Sequence, residues 1–322
     1  MRQIYSPSSS DFPLTADVVI IGGGIQGVAA AFFLSRAGAR TVVLERKEAL
    51  GALTTAASTE CFRAQFVLPE HIALMRQSIN MLENFSDLIR IPDYDVGIHR
   101  AGYLYVTATA DGLRELEIRV ENQHRHGLRD VQLLTSPDLH RRFPYISPEA
   151  TAGIFRGSDG WLSAHELTYG LAKGSEASFL IETEATNILI ENTTVTGVET
   201  DKGVIYAGFV VLAAGPFSKT VASWIGMDLP LRIEKIQEAV VHNHDSIPHD
   251  APVTIDVDTR AFWRPEGMGA FVGDSRHELA EKPMDPVPTE WTYPAFAMEA
   301  ASRLSPFWEE VAASLTSSNV SV

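Results

Sequence analysis

Three glycines, Gly22, Gly24 and Gly27, stand in the spacing G-x-G-x-x-G, and an acid, Glu45, closes the next apolar run. That set suits one kind of chemistry, the holding of a dinucleotide. Gly22 permits a tight turn, Gly24 lets a pyrophosphate approach the backbone, and Gly27 lets a helix pack closely on a strand. Glu45 is placed to accept hydrogen bonds from ribose hydroxyls, and its charge disfavours a 2′-phosphate, so FAD or NAD is expected rather than NADP. The flanking residues supply the elements that must hold this set. Asp17–Ile21 is apolar after its first residue, as a buried parallel strand is. Ala29, Ala30 and Ala31 give a small helix face, Gly38 a helix stop, and Thr41–Leu44 a second buried strand. The N-terminus of the helix between them offers N–H groups and a positive dipole end to phosphate.

Composition narrows the classes of function. At 322 residues the chain is long for one domain, so one large or two interleaved domains are expected. A net charge of −15 disfavours nucleic acid and anionic membrane surfaces as partners. The single cysteine, Cys61, rules out an intramolecular disulfide and suits a reducing compartment. No leader-like pattern precedes Asp17 and no apolar run is long enough to span a bilayer, so a soluble, cytoplasmic protein is expected. His242, His244 and His249 beside Asp245 and Asp250 resemble a metal cluster, and His-x-His on a strand does share a face. No cysteine or further acid follows at a zinc-like spacing, and no metal is expected there or at His124 and His126.

The remaining elements follow from periodicity and punctuation. Residues 1–15 read as a loose polar arm. The stretch 51–66, GALTTAASTECFRAQF, is small and hydroxyl-rich, equally suited to lying against a cofactor and to being a plain loop. Ile72, Met75, Ile79, Leu82, Phe85 and Ile89 recur at helical steps and predict one helix over Pro69–Ile89. A strand at Gly102–Thr107, a charged helix around Asp111–His124 and a short helix at Pro137–Phe143 come next. Ser163 and Glu166 match a capping box, which leaves His165 exposed in a first helical turn. Residues 178–212 alternate strands and turns, a meander returning to a central sheet at Phe209–Leu212. Beyond Leu229 longer strands are expected at Ile233–His242, Val253–Val257, Phe262–Arg264 and Ala270–Val272, then a helix at Ala295–Leu304. The closing TSSNVSV has no evident structural role.

Four pieces of the sequence together resemble the FAD-dependent D-amino acid oxidase/sarcosine oxidase family. They are IIGGGIQGVAAAFFL with VVLER at 20–46, TTAAS at 54–58, VTGVETDKGVIYAGFVVLAAGPFS at 195–218, and FWRPEG at 262–267 with FVGDS at 271–275. The resemblance implies an α/β protein in which a doubly wound, Rossmann-like FAD-binding domain with a β-meander is interleaved with an α+β substrate domain on a mixed sheet. It places the FAD-binding domain at 1–95 and 147–227 and the substrate domain at 96–146 and 228–322. Carried over residue by residue, Gly22, Gly24 and Gly27 face the pyrophosphate, Glu45 the adenosine ribose, and Arg46 the adenosine end. Thr54, Thr55 and Ser58 line the phosphate–flavin region, Ala185 marks the backbone near adenine, and Ala214 and Gly215 cross near the pyrophosphate. Ala56 stands where some relatives carry a flavin-linking histidine, and no cysteine lies far downstream, so FAD is expected to be held non-covalently.

The function implied is hydride transfer from the C–H next to the nitrogen of a small amino acid or secondary amine, of the sarcosine or glycine kind, to flavin N5. Such chemistry needs a cation for the substrate carboxylate, and Arg63 and Arg264 are the candidates. Tyr103 and Trp263 are readable either as pocket walls or as core. The alternative is a non-catalytic paralogue that keeps the fold as a scaffold or subunit; an NAD-dependent dehydrogenase ranks third. Relatives close with a glycine-rich strand and helix over the flavin that is not recognised here. The resemblance therefore implies poor turnover, or a partner chain completing the flavin site.

Overall fold

A computed structural model describes residues 3–274, 278–314 and 320–321. Ser275 of the FVGDS stretch and most of the terminal TSSNVSV lie outside the described residues. The chain divides into two compact units: 1–60, 81–97 and 162–233 form the first, and 61–80, 98–161 and 234–322 the second. This partition moves 61–80 and 147–161 out of the segments expected for the first unit. The reason is strand pairing. Cys61–Phe62 pairs with Gly160–Trp161, and Ala152–Arg156 pairs between Tyr103–Thr107 and Gln132–Thr135.

The first unit is built on a five-stranded sheet in the order Ile4–Tyr5, Ser178–Leu180, Thr41–Leu44, Val18–Ile21, Phe209–Leu212. Every pairing in it is parallel. Val18–Ile21 and Thr41–Leu44 are buried throughout, which explains their unbroken apolar runs. The helix Ile25–Arg36 buries Gly27, Val28, Ala31, Phe32 and Ser35, a stripe at helical spacing that lies on these two central strands. An antiparallel meander, Ala185–Glu191, Thr194–Thr200 and Gly203–Tyr206, packs Ile188, Val198 and Ile205 against Val19, Ile21, Val42 and Leu44. The N-terminal arm is not loose: Ile4–Tyr5 pairs in parallel with Phe179–Leu180.

The helix expected over Pro69–Ile89 is two helices, Pro69–Glu83 and Phe85–Ile89. Asn84 leaves helical geometry at φ −114°, ψ 34°, and Arg90 closes the second piece in the left-handed region at φ 60°. Ser163 caps Ala164–Lys173 by accepting from the Glu166 N–H at 3.1 Å. Glu166 does not complete the reciprocal box, because its carboxylate accepts from the Tyr94 hydroxyl at 2.8 Å. His165 is exposed and stacks on Tyr169.

The second unit carries an eight-stranded mixed sheet, ordered Val320–Ser321, Glu238–Val241, Gly269–Asp274, Ala261–Glu266, Val253–Asp256, Tyr103–Thr107, Ala152–Arg156, Gln132–Thr135. The pairing of Val253–Asp256 with Tyr103–Thr107 is parallel, and the other pairings in this sheet are antiparallel. The strand expected at Ile233–His242 is broken into Ile233–Lys235 and Glu238–Val241, so His242 and His244 fall past the strand end. The terminal stretch has a role after all, since Val320–Ser321 pairs with Val240–Val241. Alternation assigns the two faces of the sheet. Ala239, Val241, Trp263, Ala270 and Val272 point to the helices Tyr293–Ser302 and Phe307–Ala313. Leu104, Val106, Leu134 and Phe155 cluster with Leu139, Phe143 and Ile146. Tyr103, Tyr105, Phe262, Arg264 and Phe271 therefore point the opposite way.

Candidate functional site

At the carboxyl ends of the parallel strands the first unit opens into a cleft of about 700 Å³, within the range of roughly 300–1,000 Å³ usual for small-molecule sites. Its walls include Gly22, Gly24, Glu45, Arg46, Thr54, Thr55, Ala185, Ala214 and Gly215. The turn that forms it depends on glycine at three places. Gly22 has φ +114°, and a side chain there would overlap the Ala213 carbonyl. A Cβ on Gly27 would overlap the Gly22 carbonyl oxygen, so this residue sets how close the helix comes to the turn. Gly23, which the spacing did not single out, leaves no more room: its Cβ would lie 2.8 Å from both Glu45 Cβ and Leu50 Cδ2. The signal was present as the third member of a Gly-Gly-Gly run.

The helix Ile25–Arg36 starts at Gly24, which offers no capping side chain, and its first turn carries no acid. Thr55 Oγ1 accepts from the Ile25 N–H at 3.1 Å, fixing the hydroxyl-rich segment against the helix start. The Gly51 N–H donates to the Gly23 carbonyl at 2.9 Å, so 51–55 is part of the site and not a free loop. Glu45 is held rigidly. One carboxylate oxygen accepts from the Gly23 N–H and the other from the Lys47 N–H, each at 2.8 Å. Each oxygen keeps a second acceptor position. Arg46 stacks its guanidinium 4.2 Å from the centroid of Phe217, a cleft residue that sequence reasoning missed. Ser58 is not in the cleft wall; its hydroxyl donates to the Thr55 carbonyl at 3.0 Å. Gly27 is also absent from the wall and acts through packing.

Arg63 and Arg264 belong to the second unit. Arg264 is 1% exposed, pairs with Glu266, and lies over the Trp161 ring at 5.2 Å and the Phe271 ring at 4.4 Å. Arg63 is partly exposed, with its guanidinium 4.6 Å from the Phe66 ring and 5.6 Å from the Tyr103 ring. Burial, followed by the neighbouring Cys61, pushes the Tyr103 hydroxyl well above its ordinary pKa, so it is a neutral phenol. Trp263 is core on the helix side of the sheet and walls no pocket: its Nε1 donates to Ser305 Oγ at 3.0 Å. Asp159, fully buried, was not anticipated. It accepts from the Ala64 N–H at 2.9 Å and from Gln65 Nε2 at 3.2 Å, and pairs with Arg156. Its carboxyl pKa is raised by burial, against the pull of Arg156.

Among the described residues no group of three His, Cys, Asp or Glu side chains is arranged to hold a metal ion. No helix among them is long and apolar enough to cross a membrane.

Comparison with known proteins gives this geometry a context. The family described as FAD dependent oxidoreductase (DAO) matches residues 17–317. Mouse FAD-dependent oxidoreductase domain-containing protein 1 is 29% identical over 315 residues, covering 84% of this chain and 64% of that protein. Rat mitochondrial dimethylglycine dehydrogenase is 27% identical over 287 residues, covering 86% of this chain and 32% of that one. The chain thus spans less than two thirds of the length of these relatives. The crystal structure of L-proline dehydrogenase from P. horikoshii superposes with a TM-score of 0.82 at 23% identity, over 93% of this chain and 79% of that one. That likeness establishes the shared α/β fold.

Proposed function

This chain belongs to the DAO family of FAD-dependent oxidoreductases, and from that premise we propose that it oxidises a small amino acid or secondary amine of the sarcosine or glycine kind. The observation that carries the cofactor part of this reading is the pinned carboxylate of Glu45 in a cleft lined by Gly22 and Gly24, where Gly22 admits no side chain. The residues present fit FAD. Gly22, Gly24 and the start of the helix at Ile25 would take the pyrophosphate, with Ala214 and Gly215 crossing beside it. Glu45 would accept from the ribose, and Arg46 on Phe217 would border the adenosine end near Ala185. Thr54 and Thr55 would line the approach toward the flavin, with Ser58 acting through the Thr55 carbonyl.

Bound FAD supplies the hydride acceptor, flavin N5. The protein's own task is to bind and orient. The first unit is the cofactor domain in this reading and the second the substrate domain, where Arg63 or Arg264 supplies the cation for a carboxylate. Tyr103, kept neutral by burial, is a hydrogen-bonding wall and not a base at neutral pH. We place the protein in the cytoplasm, in keeping with its lone cysteine.

FAD is held without a covalent bond, because Ala56 offers no linking atom. Acid precipitation of the purified protein should release all flavin to the supernatant; flavin remaining in the pellet would contradict this. The activity is tested by adding sarcosine and glycine to the flavin-loaded protein without oxygen and following loss of flavin absorbance. Bleaching by either supports the oxidoreductase. A folded protein that takes up no FAD would instead favour the scaffold reading.

A further inference from the structure

We infer that the outer edge of the strand Phe209–Leu212 is a docking site for another polypeptide, which lays an uncharged strand along it and a helix over Phe209 and Phe33. The inference goes beyond the amine reading and rests on the first unit alone. Phe209–Leu212 is the last strand of the five-stranded parallel sheet, and among the described residues no strand pairs with its outer side. Its neighbours Val18–Ile21 and Thr41–Leu44 are buried throughout, but Phe209 is 71% exposed and Val210, Val211 and Leu212 are half-buried. Natural sheets avoid an open apolar edge by shortening it, charging it, or breaking it with proline or a bulge. None of these devices is present here: the pairing with Val18–Ile21 runs without a shift, and FVVL holds no charge and no proline. The opposite edge, Ile4–Tyr5, is only two residues long. A Cβ on Gly208, just before the strand, or on Gly215, just beyond it, would meet nothing within 4 Å.

The surroundings of this edge set the chemistry of its occupant. Phe209 and Ala213 donate their N–H groups inward, to the Asp17 and Ile21 carbonyls at 3.3 and 2.9 Å. Alternation turns the N–H and C=O groups of Val210 and Leu212 outward, where an extended main chain satisfies them. The side chains of the same residues separate by face. Val210 and Leu212 pack against the meander cluster, so Phe209 and Val211 point to the face on which the helix Ile25–Arg36 lies. On that helix Gln26, Ala30 and Phe33 stand at i, i+4 and i+7 in one stripe, and Phe33 is 49% exposed. Gln26 and Ala30 line one cleft with Val211, Val221 and Trp224, and none of these five side chains is charged. A strand alone would leave Phe209 and Phe33 wet. Strands of parallel sheets are covered on both faces, which calls for a helix beside the Gln26–Phe33 stripe. A second copy of this chain meets only half of the requirement. Two identical edges related by a two-fold axis would pair their main chains, but the same face stays up in both copies and Phe209 and Val211 remain uncovered. The occupant is therefore a different polypeptide segment, extended and uncharged where it pairs, helical and apolar where it covers.

The test incorporates the photocrosslinker benzoylphenylalanine in place of Phe209 in the full chain, expressed in cells of its source organism. The control carries it in place of Ile190, an exposed apolar residue of the meander. An adduct with one heterologous polypeptide is expected at Phe209 and not at Ile190. That polypeptide is then purified and titrated against the 322-residue protein by calorimetry. On binding, amide exchange at Val210 and Leu212 should slow by about tenfold or more. Val210→Pro removes only an outward N–H, at an edge where proline is tolerated, and should weaken binding about three- to tenfold. Phe209→Lys should weaken it about tenfold to a hundredfold, the usual worth of burying such a side chain. Both variants should keep the parent's flavin content, and Phe209→Lys carries the comparison should Val210→Pro fold poorly. An adduct with a second copy alone, no adduct at Phe209, or equal adducts at Phe209 and Ile190 overturns the inference. So does an affinity that the folded variants leave unchanged, or binding that leaves Val210 and Leu212 exchanging as before. None of these outcomes touches the amine reading, which is judged by flavin bleaching.

Discussion

The glycine-lined cleft of the first unit and the arginine-bearing part of the second are built from opposite materials. In the first unit the site is mostly backbone, and what matters is the absence of atoms: Gly22, Gly23 and Gly27 leave space that any side chain would fill. In the second unit the candidate residues are side chains, and what matters is their presence: the Arg63 guanidinium lies over the Phe66 and Tyr103 rings, and Asp159 braces the next two residues, Ala64 and Gln65. A backbone site should therefore fail when atoms are added, and a side-chain site when atoms are removed.

The strongest way to break that contrast is to add atoms where the helix packs on the turn that forms the cleft. Gly27→Val places a branched side chain into the Gly22 carbonyl, where neither element can yield cheaply. We expect FAD retention to be abolished and the thermal midpoint to fall by several degrees or more, measured by flavin absorbance after gel filtration and by calorimetry. Retention of FAD by Gly27→Val would mean that the turn is far softer than its packing indicates. Removing atoms from the second unit should act differently. Arg63→Met is expected to weaken amino-acid binding by tens-fold or more while leaving FAD content at the parent level. A variant that loses both together would blur the distinction between the units.

A subtler probe alters charge without altering shape. Glu45→Gln keeps one acceptor oxygen for the Gly23 or Lys47 N–H but loses the charge on the other. FAD affinity should fall by about tenfold, read by fluorescence quenching on titration of the stripped protein. An unchanged affinity would show that backbone alone carries the cleft.

The smallest effect concerns the frame of the second unit. Asp258 accepts from Thr107 Oγ1, the Ala108 N–H and Thr109 Oγ1 at 2.7–2.9 Å and from Arg303 at 3.1 Å. Burial alone would raise its pKa; these donors outweigh it and hold the carboxyl below its ordinary value. A depressed carboxyl contributes stability above its unfolded pKa of about 3.9, and loses it as pH falls through the lower folded value. Asp258→Asn should therefore be less stable than the parent at pH 7 by about 1–3 kcal/mol. The gap in urea midpoints should close below about pH 4. A gap that is constant with pH would show that shape, not charge, holds this corner.

The same contrast governs what could be read from the sequence. The strand, turn, helix and acid of the cleft were legible because their chemistry is contiguous: Gly22 to Glu45 fixes the turn, the close approach and the acceptor within one supersecondary unit. Thr55 was legible by its neighbourhood, although its bond to Ile25 was not. Asp159 was invisible because it meets Ala64 across 95 positions, through a pairing of Cys61–Phe62 with Gly160–Trp161 that no local pattern announces. Arg264 was found as a residue but not as a paired one, since the i to i+2 relation to Glu266 is meaningful only once the strand is known to run through Pro265. The break at Asn84 was missed because apolar spacing continues across it, and periodicity alone does not register a single residue leaving helical geometry.

The five-stranded sheet has a further consequence, for how the chain comes to exist. Ile4–Tyr5 waits for Phe179–Leu180, and Val18–Ile21 waits for Phe209–Leu212. At roughly 5–20 residues per second of synthesis, the glycine segment leaves the ribosome on the order of ten seconds or more before its last neighbour. Throughout that interval Val18, Val19, Ile20 and Ile21 lack one of the two strands that flank them in the finished sheet. Stalled nascent chains ending before Phe209 should accordingly be cut readily near Gly22–Gly24 and engage chaperones there, and chains released beyond Leu212 should become resistant at that point.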